Sequence, residues 1–511
     1  MNFLNKKTAK ERGQAIMLVA IALVGLLAML GLMIDVGRLF IESSRMKRAI
    51  DSAAVAASLE FREGVDLTLK EDTPNLLHAA QEFILLNEPN TILLDETGPE
   101  SEDGIHTYIC DTTKVASEPE HYAGLCPDPT PSDPNDDYLY ADGDFLRKLV
   151  RVRGTKRIVF NFLTVVGIDG TTVTTDAIGE AASVDVVLVI DASTSMADLT
   201  DPANGGKDFT VCNTTNPKTC EPFETIKGYA KDFADQLLYP YDRISVISFD
   251  RLAHNATVGG EGWEYNATQI KTTIDSLMVY RNDLPDCSVV RPGAGLCADY
   301  DPISGNFLGK TCPHVQDTGD AASCSSSNIG GGIELANYQF TRDIREEALW
   351  VIILLASGPA NAISPTGAHP AGYCPPGTSD PTPIFPGFQQ PICRDDQAGE
   401  DDRHISTEAN YDGDDFARDM ADATVADGQG AVIYTIGYGG DGVLADNKIT
   451  NDTRHRNEPY DPDIAEQLLI YIATKAGTVD NLGLYISAPT NAELVAAFKK
   501  IAENIATKIS Q

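Results

Sequence analysis

The sequence predicts an α/β protein: a mostly parallel, doubly wound sheet with insertions, preceded by a transmembrane helix and a small α+β region. Three observations lead to this fold class. Residues 15–34 carry no charge, residues 186–190 form a continuous apolar run, and strand-like and helix-like segments alternate from residue 183 onwards. Such an apolar run is typical of a strand buried on both faces. The alternation is typical of parallel strands joined by crossover helices.

The N-terminal apolar stretch is long enough to cross a membrane. Residues 15–34 are 20 uncharged residues, which span about 30 Å as a helix, the thickness of a bilayer core. The basic residues before it are Lys6, Lys7, Lys10 and Arg12. Since a basic flank stays in the cytoplasm, we expect a cytoplasmic tail at 1–14, a single-pass anchor in the inner (cytoplasmic) membrane, and an extracytoplasmic remainder. A cleaved signal peptide is the alternative, but its apolar core would be shorter and would lead directly to a cleavage site.

The charge and the cysteines fit an exported protein. The formal net charge is −36, and nucleic-acid binding needs basic surface, so we expect no nucleic-acid partner. All ten cysteines follow residue 100, and an even number in an exported region indicates disulfides. Pairing of sequence neighbours would give Cys110–Cys126, Cys212–Cys220, Cys287–Cys297, Cys312–Cys324 and Cys374–Cys393. The four cysteines between 287 and 324 leave three connectivities open, and a zinc site is disfavoured because no CxxC pair occurs.

The segment after the anchor is expected to continue as an Ala-rich helical stalk over 35–60. It contains no proline or glycine from residue 38 to 61, and its apolar residues recur at helical spacing. We therefore expect one helix to run through the membrane and beyond it.

A membrane-proximal α+β region is expected over 61–182. Strand-like runs at 149–153 and 157–162 flank Gly154, as the arms of a hairpin would, and 171–175 is expected to be a third strand. The acidic cluster at 133–144 lacks the spacing of an EF-hand, so a solvated loop is favoured over a Ca²⁺ site.

The remainder, 183–511, is expected to be one large domain. Its predicted strands are 185–191, 243–249, 348–355, 431–436 and 482–486, and its predicted helices are 223–238, 268–278, 328–341, 414–426, 463–475 and 491–508. Three stretches rich in Gly, Pro and Asp interrupt this order as insertions: 281–325, 361–410 and 440–462.

Polar residues follow the first strand of this domain at a spacing that suits a cation. Asp191, Ser193 and Ser195 come directly after the apolar run, and their carboxylate and hydroxyl oxygens are hard ligands of the kind that Mg²⁺ prefers. Ser327 precedes a predicted helix farther along. Loops at the carboxyl ends of parallel strands meet at one edge of the sheet, so its hydroxyl can approach the same point. A serine-rich turn that binds nothing is the alternative.

The pattern resembles the DxSxS signature of the von Willebrand factor A domain, a Rossmann-like fold. The sequence SNIG that begins at Ser327 resembles the Thr-Asn-Ile-Gly motif of that family, and Ser357 stands where the family usually has Asp. The resemblance implies a metal site formed by Asp191, Ser193, Ser195, Ser327 and Ser357. It would hold Mg²⁺, or Mn²⁺ or Ca²⁺ in its place, and could accept an acidic side chain from a partner protein. Because one carboxylate is lost at Ser357, we expect weak binding.

A second resemblance covers roughly residues 10–60. The apolar span ends in Asp35, Gly37 and Arg38 in the order Asp-x-Gly-Arg, and an Ala-rich stretch containing Asp51 follows. This order is similar to the N-terminal segment of the TadE/TadG family of Flp pilus-assembly proteins, and the A domain that follows makes the chain TadG-like.

The two resemblances together imply a membrane-anchored protein of Tad/Flp-type pilus assembly or surface adhesion. Its partners would be pilus-assembly components or a surface ligand, bound in a cation-dependent way. A free-standing adhesin or matrix-binding protein unrelated to pili is the alternative. An enzyme is not expected, because the sequence has no GxSxG, HExxH or P-loop motif.

Overall fold

The computed structural model describes most of residues 1–182 and most of the large domain, residues 183–511. The described residues are 9–61, 66–87, 104–127, 146–197, 199–204, 209–250, 252–257, 262–279, 327–358, 360, 362–364, 403–406, 411, 413–438, 464–477, 482–488 and 490–509. The chain divides into two compact units, Met1–Ala181 and Ala182–Gln511. The acidic cluster at 133–144 lies outside the described residues, as do most of the three predicted insertions and all cysteines between 287 and 393.

The first unit contains one very long helix and a small antiparallel sheet. Its helices are α1 (Ala9–Leu59), α2 (Pro74–Asn87) and the short α3 (Pro119–Tyr122), and its strands are β1 (Ile105–Tyr108), β2 (Lys148–Val159) and β3 (Gly170–Ala181). The strand order is β1-β2-β3. The prediction that one helix runs through the apolar span and on through the stalk is confirmed.

The predicted hairpin around Gly154 is wrong. Strand β2 passes straight through this residue and pairs with β3 over its whole length, so the hairpin turn lies at 160–169. A Cβ on Gly154 would lie 2.5 Å from side-chain carbons of both Met46 and Ile50. Gly179 of β3 is more confined, since its Cβ would lie 2.0 Å from the carbonyl oxygen of Ala54. Both glycines serve the close packing of α1 on the sheet, not a turn.

The second unit is a six-stranded sheet between two layers of helices. Its strands are β4 (Ser183–Asp191), β5 (Arg243–Phe249), β6 (Ala253–Asn255), β7 (Ala348–Ala356), β8 (Val432–Tyr438) and β9 (Tyr485–Ala488), in the order β6-β5-β4-β7-β8-β9. All neighbours are parallel except the edge strand β6. The predicted class, a mostly parallel sheet, is confirmed, although β6 was not predicted.

Helices cover both faces of this sheet, which makes it doubly wound. The helices of the unit are α4 (Phe209–Cys212), α5 (Phe223–Ala234), α6 (Ala267–Ser276), α7 (Ile329–Arg342), α8 (Gly413–Ala426), α9 (Ile464–Thr474) and α10 (Asn491–Ile509). One core contains Val186, Leu188 and Ile190 of β4 with α5, α6 and α10, and the other contains Val187 and Val189 with α7, α8 and α9. Side chains of β4 are therefore buried on both sides, as its continuous apolar sequence predicts.

A buried ionic cluster closes the end of the sheet opposite the carboxyl end of β4. Asp185 accepts hydrogen bonds from Arg243 at 2.8 Å and from Arg345 at 3.0 Å, and all three side chains are almost completely buried. The guanidinium of Arg243 also lies 4.1 Å from the ring centre of Trp263. The shared carboxylate compensates both guanidinium groups, and Asp343 at 2.6 Å from Arg243 and Glu347 at 3.6 Å from Arg345 add further negative charge.

Two of the predicted disulfides fall within the described residues and are present. They join Cys110 to Cys126 in the first unit and Cys212 to Cys220 in the second. Both are pairs of sequence neighbours, as predicted.

Candidate functional site

The candidate site lies where β4 reaches the edge of the sheet. Asp191 is the last residue of β4, and the amide of Ala192 donates a hydrogen bond to the carbonyl oxygen of Phe249 at 2.7 Å. This bond extends the pairing of β4 with β5 one residue beyond the strand. The Asp191 side chain is completely buried, so its carboxylate has to find its partners within the protein.

The partners of Asp191 come from the loops after two neighbouring strands. One carboxylate oxygen, Oδ1, accepts the amide of Ser193 at 2.8 Å. The other, Oδ2, accepts both the amide and the hydroxyl of Ser357, each at 2.9 Å. Ser357 directly follows β7, which pairs in parallel with β4. The carboxylate thus ties the two loops together.

Three serine hydroxyls form a chain beside this carboxylate. The Oγ atoms of Ser193 and Ser195 lie 2.9 Å apart, and those of Ser195 and Ser357 lie 2.6 Å apart. Four of the five residues predicted as metal ligands are therefore joined in one hydrogen-bonded network, which links the ends of two adjacent strands and contains one carboxylate. Carboxylate and hydroxyl oxygens of this kind could hold a hard divalent cation.

Ser327 lies on a loop that is held at the neighbouring strand end. The amide of Asn328, the next residue, donates to the carbonyl oxygen of Asp250 at 2.7 Å, and Asp250 directly follows β5. The Asn328 side chain caps α7 by accepting the amide of Gly331 at 2.8 Å. Ser327 itself is buried. Its loop is thus fixed at the same edge of the sheet as Asp191.

The glycines after Asn328 explain how α7 comes so close to the sheet. A Cβ on Gly332 would lie 2.7 Å from Cγ1 of Val189 in β4, and one on Gly330 would lie 2.4 Å from the ring of Phe416 in α8. A side chain at position 332 would push the first turn of α7 away from β4, and one at position 330 would push it away from α8. The triple glycine therefore helps to place the Ser327 loop at the sheet edge.

The electrostatics of the site are dominated by the burial of its carboxylate. Burial raises the pKa of Asp191, and the hydrogen bonds from Ser357 and Ser193 oppose that rise. Since a buried carboxylate without a positive partner is costly, a cation at this point would stabilise the ionised form.

A second buried carboxylate lies one strand away and was not singled out from the sequence. Asp250 follows the apolar strand β5 just as Asp191 follows β4, and its Oδ1 accepts the amide of Leu252 at 3.0 Å. The signal in the sequence was an Asp directly after a buried strand. Asp250 lies outside both the DxSxS and the SNIG patterns, so neither of them points to it.

The N-terminal segment matches a known family. Residues 13–60 match the family model described as putative Flp pilus-assembly TadE/G-like. This match confirms the resemblance predicted for residues 10–60. A search of curated protein sequences found no match.

Solved structures similar to this chain include proteins of pili and of the mussel byssus. The vWF domain of the type V pili tip protein Mfa5 from Porphyromonas gingivalis is 16% identical (TM-score 0.33; 64% of this chain and 97% of that one). A mutant of the PilB minor pilin from Streptococcus sanguinis is 14% identical (TM-score 0.34; 71% and 75%). Proximal thread matrix protein 1 from the mussel byssus, with a zinc-occupied MIDAS motif, is 14% identical (TM-score 0.30; 64% and 46%). The chain spans about half the length of the mussel structures, 46% to 48%.

Proposed function

We propose that this chain is a membrane-anchored protein that acts in pilus assembly or pilus-related surface adhesion by binding another protein through a divalent cation. The observation that carries the proposal is the network in which Asp191 is buried and bonded to Ser193 and Ser357, with Ser195 completing the chain of hydroxyls. The match of residues 13–60 to a pilus-assembly family model supports the pilus-related part. The proposed role is not enzymatic.

We propose Asp191, Ser193, Ser195, Ser327 and Ser357 as the residues that hold the cation, Mg²⁺ or else Mn²⁺ or Ca²⁺. A bound divalent cation would supply a positive charge with a free coordination position for a partner's carboxylate. With Asp191 as the only carboxylate of this set, half of the ion's double positive charge stays uncompensated. Binding to the chain alone is therefore weak, and an acidic side chain from the partner would add the missing charge.

Calorimetric titration of the full chain in detergent micelles with Mg²⁺ and Mn²⁺ tests the cation site. Asp191→Ala removes the charged ligand and should abolish the binding isotherm. Asp232→Asn is the matched control, because it removes one carboxylate from the exposed surface of α5 in the same unit. If the wild type and Asp191→Ala bind equally, the ion is held elsewhere on the acidic surface, and the proposed site is wrong.

Capture of partners from native membranes tests the interaction. Full chain and Asp191→Ala are compared with and without a chelator, and the bound proteins are identified. Loss of the same protein on chelation and on mutation supports cation-dependent binding. Captured components of a pilus-assembly machine favour assembly, whereas captured matrix or surface ligands favour the alternative of a free-standing adhesin.

We further propose that the anchor is a single-pass helix in the inner membrane with residues 1–14 in the cytoplasm. Helix α1 supports an anchor, since it contains an apolar span long enough to cross a membrane. Protease added to intact spheroplasts should digest the second unit and spare the N-terminal tail. Protection of the second unit would exclude this orientation.

A further inference from the structure

The turn between β2 and β3 presents apolar side chains to its surroundings. Residues 158–168 contain no charged residue, and the single 3-10 turn Leu163–Val166 forms their tip. Val165 is 86% exposed, and Phe162 and Ile168 are each 49% exposed. An exposed apolar cluster of this kind on a short turn indicates a surface that is covered by something other than water.

A buried carboxylate fixes this turn to the long helix. Asp35 of α1 accepts three backbone amides of the turn: Oδ1 binds Asn161 at 2.9 Å, and Oδ2 binds Phe162 at 2.9 Å and Leu163 at 2.7 Å. Three hydrogen bonds to an acidic side chain are strong and directional. The turn therefore lies beside the helix at the place where the uncharged span ends.

Gly31 allows the turn to contact α1 within the uncharged span, one helical turn before Asp35. A Cβ on Gly31 would lie 2.8 Å from the Cβ of Phe162, so only a glycine admits this contact. Among residues 16–36, only Gly31 and Asp35 are buried. Gly31 lies about 5 Å along the helix before Ile34, the last residue of the uncharged span. Phe162 is thus level with the membrane-crossing part of α1.

The backbone of the turn is unusually well satisfied for an exposed segment. Asp35 accepts three of its amides, and three more donate to backbone carbonyl oxygens within the hairpin. These bonds run from Phe160 to Asp169 at 3.0 Å, from Gly167 to Thr164 at 3.1 Å and from Ile168 to Leu163 at 3.1 Å. A polar backbone enters an apolar medium only when its hydrogen bonds are made internally. The turn meets this requirement along most of its length.

A charged pair marks where the apolar surface ends. Nζ of Lys156 in β2 lies 3.0 Å from Oε2 of Glu42 in α1. Glu42 is eleven residues beyond Gly31, about 16 Å farther along the helix. The apolar side chains of the turn therefore lie beside the uncharged span of α1, and the Lys156–Glu42 pair lies beyond the end of that span. The same order, apolar then charged, is found at the boundary between the acyl chains and the head groups of a bilayer.

We propose that the β2–β3 turn, residues 159–168, is a second membrane contact that inserts into the extracytoplasmic lipid leaflet beside α1. The occupant is lipid because the apolar surface of the turn continues the exposed apolar surface of the helix at the same level, where Leu30, Met33 and Ile34 are exposed. The inference rests on the proposed membrane anchor. Asp35 and Gly31 would then be positioning residues that set how deep the turn lies and prevent the sheet from rotating about the helix.

Tryptophan fluorescence of the full chain in phosphatidylcholine–phosphatidylglycerol vesicles tests the proposal. The two native tryptophans, Trp263 and Trp350, are buried in the second unit and give a constant background. Val165→Trp should emit at shorter wavelength than an indole in water and lose intensity when the acyl chains carry bromine. Thr172→Trp, an exposed position on β3 beyond the turn, is the matched control and should show neither change.

Adding Ile168→Asp to Val165→Trp should move the turn out of the lipid and remove the quenching. Resistance of the chain to alkaline extraction from the vesicles is measured on the same samples. If alkali extracts the chain from the vesicles, the proposed membrane anchor is wrong, and this outcome is distinct from a failure of the proposed contact between the turn and lipid. If the chain resists extraction but the tryptophan of Val165→Trp emits at the wavelength of an indole in water, the inference is wrong. Blue-shifted emission that bromine leaves unquenched also overturns the inference, since protein rather than lipid would then cover the turn.

Discussion

Ser357→Asp offers the sharpest test of the site, because it restores the carboxylate that the sequence lacks. The hydroxyl of Ser357 lies 2.9 Å from Oδ2 of Asp191, so the new carboxylate would lie within about 4 Å of the existing one. Two unit charges at this distance repel each other by about 4 kcal/mol at an effective dielectric constant of about 20. Uptake of a proton by the pair relieves part of this repulsion. We expect the metal-free variant to lose roughly 2 to 4 kcal/mol of unfolding free energy.

A divalent cation should reverse this loss. Each tenfold gain in affinity adds about 1.4 kcal/mol of binding free energy, and a ligand at 100 times its dissociation constant stabilises the folded state by about 2.7 kcal/mol. We therefore expect Mg²⁺ to raise the stability of Ser357→Asp by more than it raises that of the wild type, with affinity at least about tenfold tighter.

Thermal or urea unfolding with and without Mg²⁺, followed by tryptophan emission, measures both effects. Trp263 and Trp350 are the only two tryptophans and both lie in the second unit, so the signal reports that unit alone. Ser357→Asn is the control, since it changes the shape of the side chain similarly but adds no charge. If Ser357→Asp and Ser357→Asn are equally stable without metal, or respond equally to Mg²⁺, position 357 does not act on a cation through charge.

Three further outcomes are expected. Burial raises the pKa of the Asp191 carboxyl, so the folded protein binds the carboxyl proton more tightly than the unfolded protein does. Without metal, the unfolding free energy of the wild type relative to that of Asp191→Asn should therefore fall as the pH rises from about 4 through the raised pKa. The affinity for Mg²⁺ should rise over the same pH range, because the carboxylate becomes ionised. Gly179→Ala would place a Cβ 2.0 Å from the carbonyl oxygen of Ala54 and should cost about 1 to 3 kcal/mol in denaturant unfolding of the first unit, whereas Gly37→Ala, with nothing within 4 Å, should not destabilise it. Asp185→Asn leaves two buried guanidinium groups without their shared anion and should cost about 3 to 5 kcal/mol in the same assay on the second unit; a loss below 1 kcal/mol would show that Asp343 and Glu347, the other carboxylates beside these groups, or water compensate for the lost charge.

The parts of the fold that follow from local periodicity were predictable from the sequence. The strand Arg243–Phe249 begins and ends where it is predicted, and the six predicted helices of the second unit agree within a few residues, whereas the short helix α4 was not predicted. In both cases an apolar pattern with a clear period determines the element. The edge strand Ala253–Asn255 was missed because three half-buried residues carry no such pattern.

The hairpin error has a different cause. Local sequence favours a turn at Gly154, but the role of this residue depends on α1, which lies about a hundred residues earlier in the sequence and packs across β2. A single sequence gives no sign of such a distant contact. The same holds for Asp35, whose place in an Asp-x-Gly-Arg pattern was recognised while its partners at 161–163 were not. Long-range packing, not local propensity, determines both residues.

The candidate metal site was predictable in composition but not in its internal bonding. DxSxS and the serine after β7 indicated which oxygens would gather at the sheet edge. That Ser357 would donate to Asp191 through both its amide and its hydroxyl depends on the parallel pairing of β4 with β7. The sequence therefore indicated a lost charge at position 357, whereas the structure adds that the replacement holds the remaining carboxylate in place.

Comparison of the buried carboxylates of Asp35 and Asp191 indicates why the first is structural and the second suits a ligand. Among the described residues, Asp35 accepts hydrogen bonds from three backbone amides of the β2–β3 turn, which can only donate, so replacing them by a cation would require the turn to leave the helix. Asp191 is bonded partly to a hydroxyl, and that hydroxyl continues into Ser195 and Ser193. A hydroxyl is both donor and acceptor and reorients by rotation about one bond. The Asp191 network can therefore turn its oxygens toward a cation without moving the backbone, which is the property that a reversible, partner-dependent cation site needs.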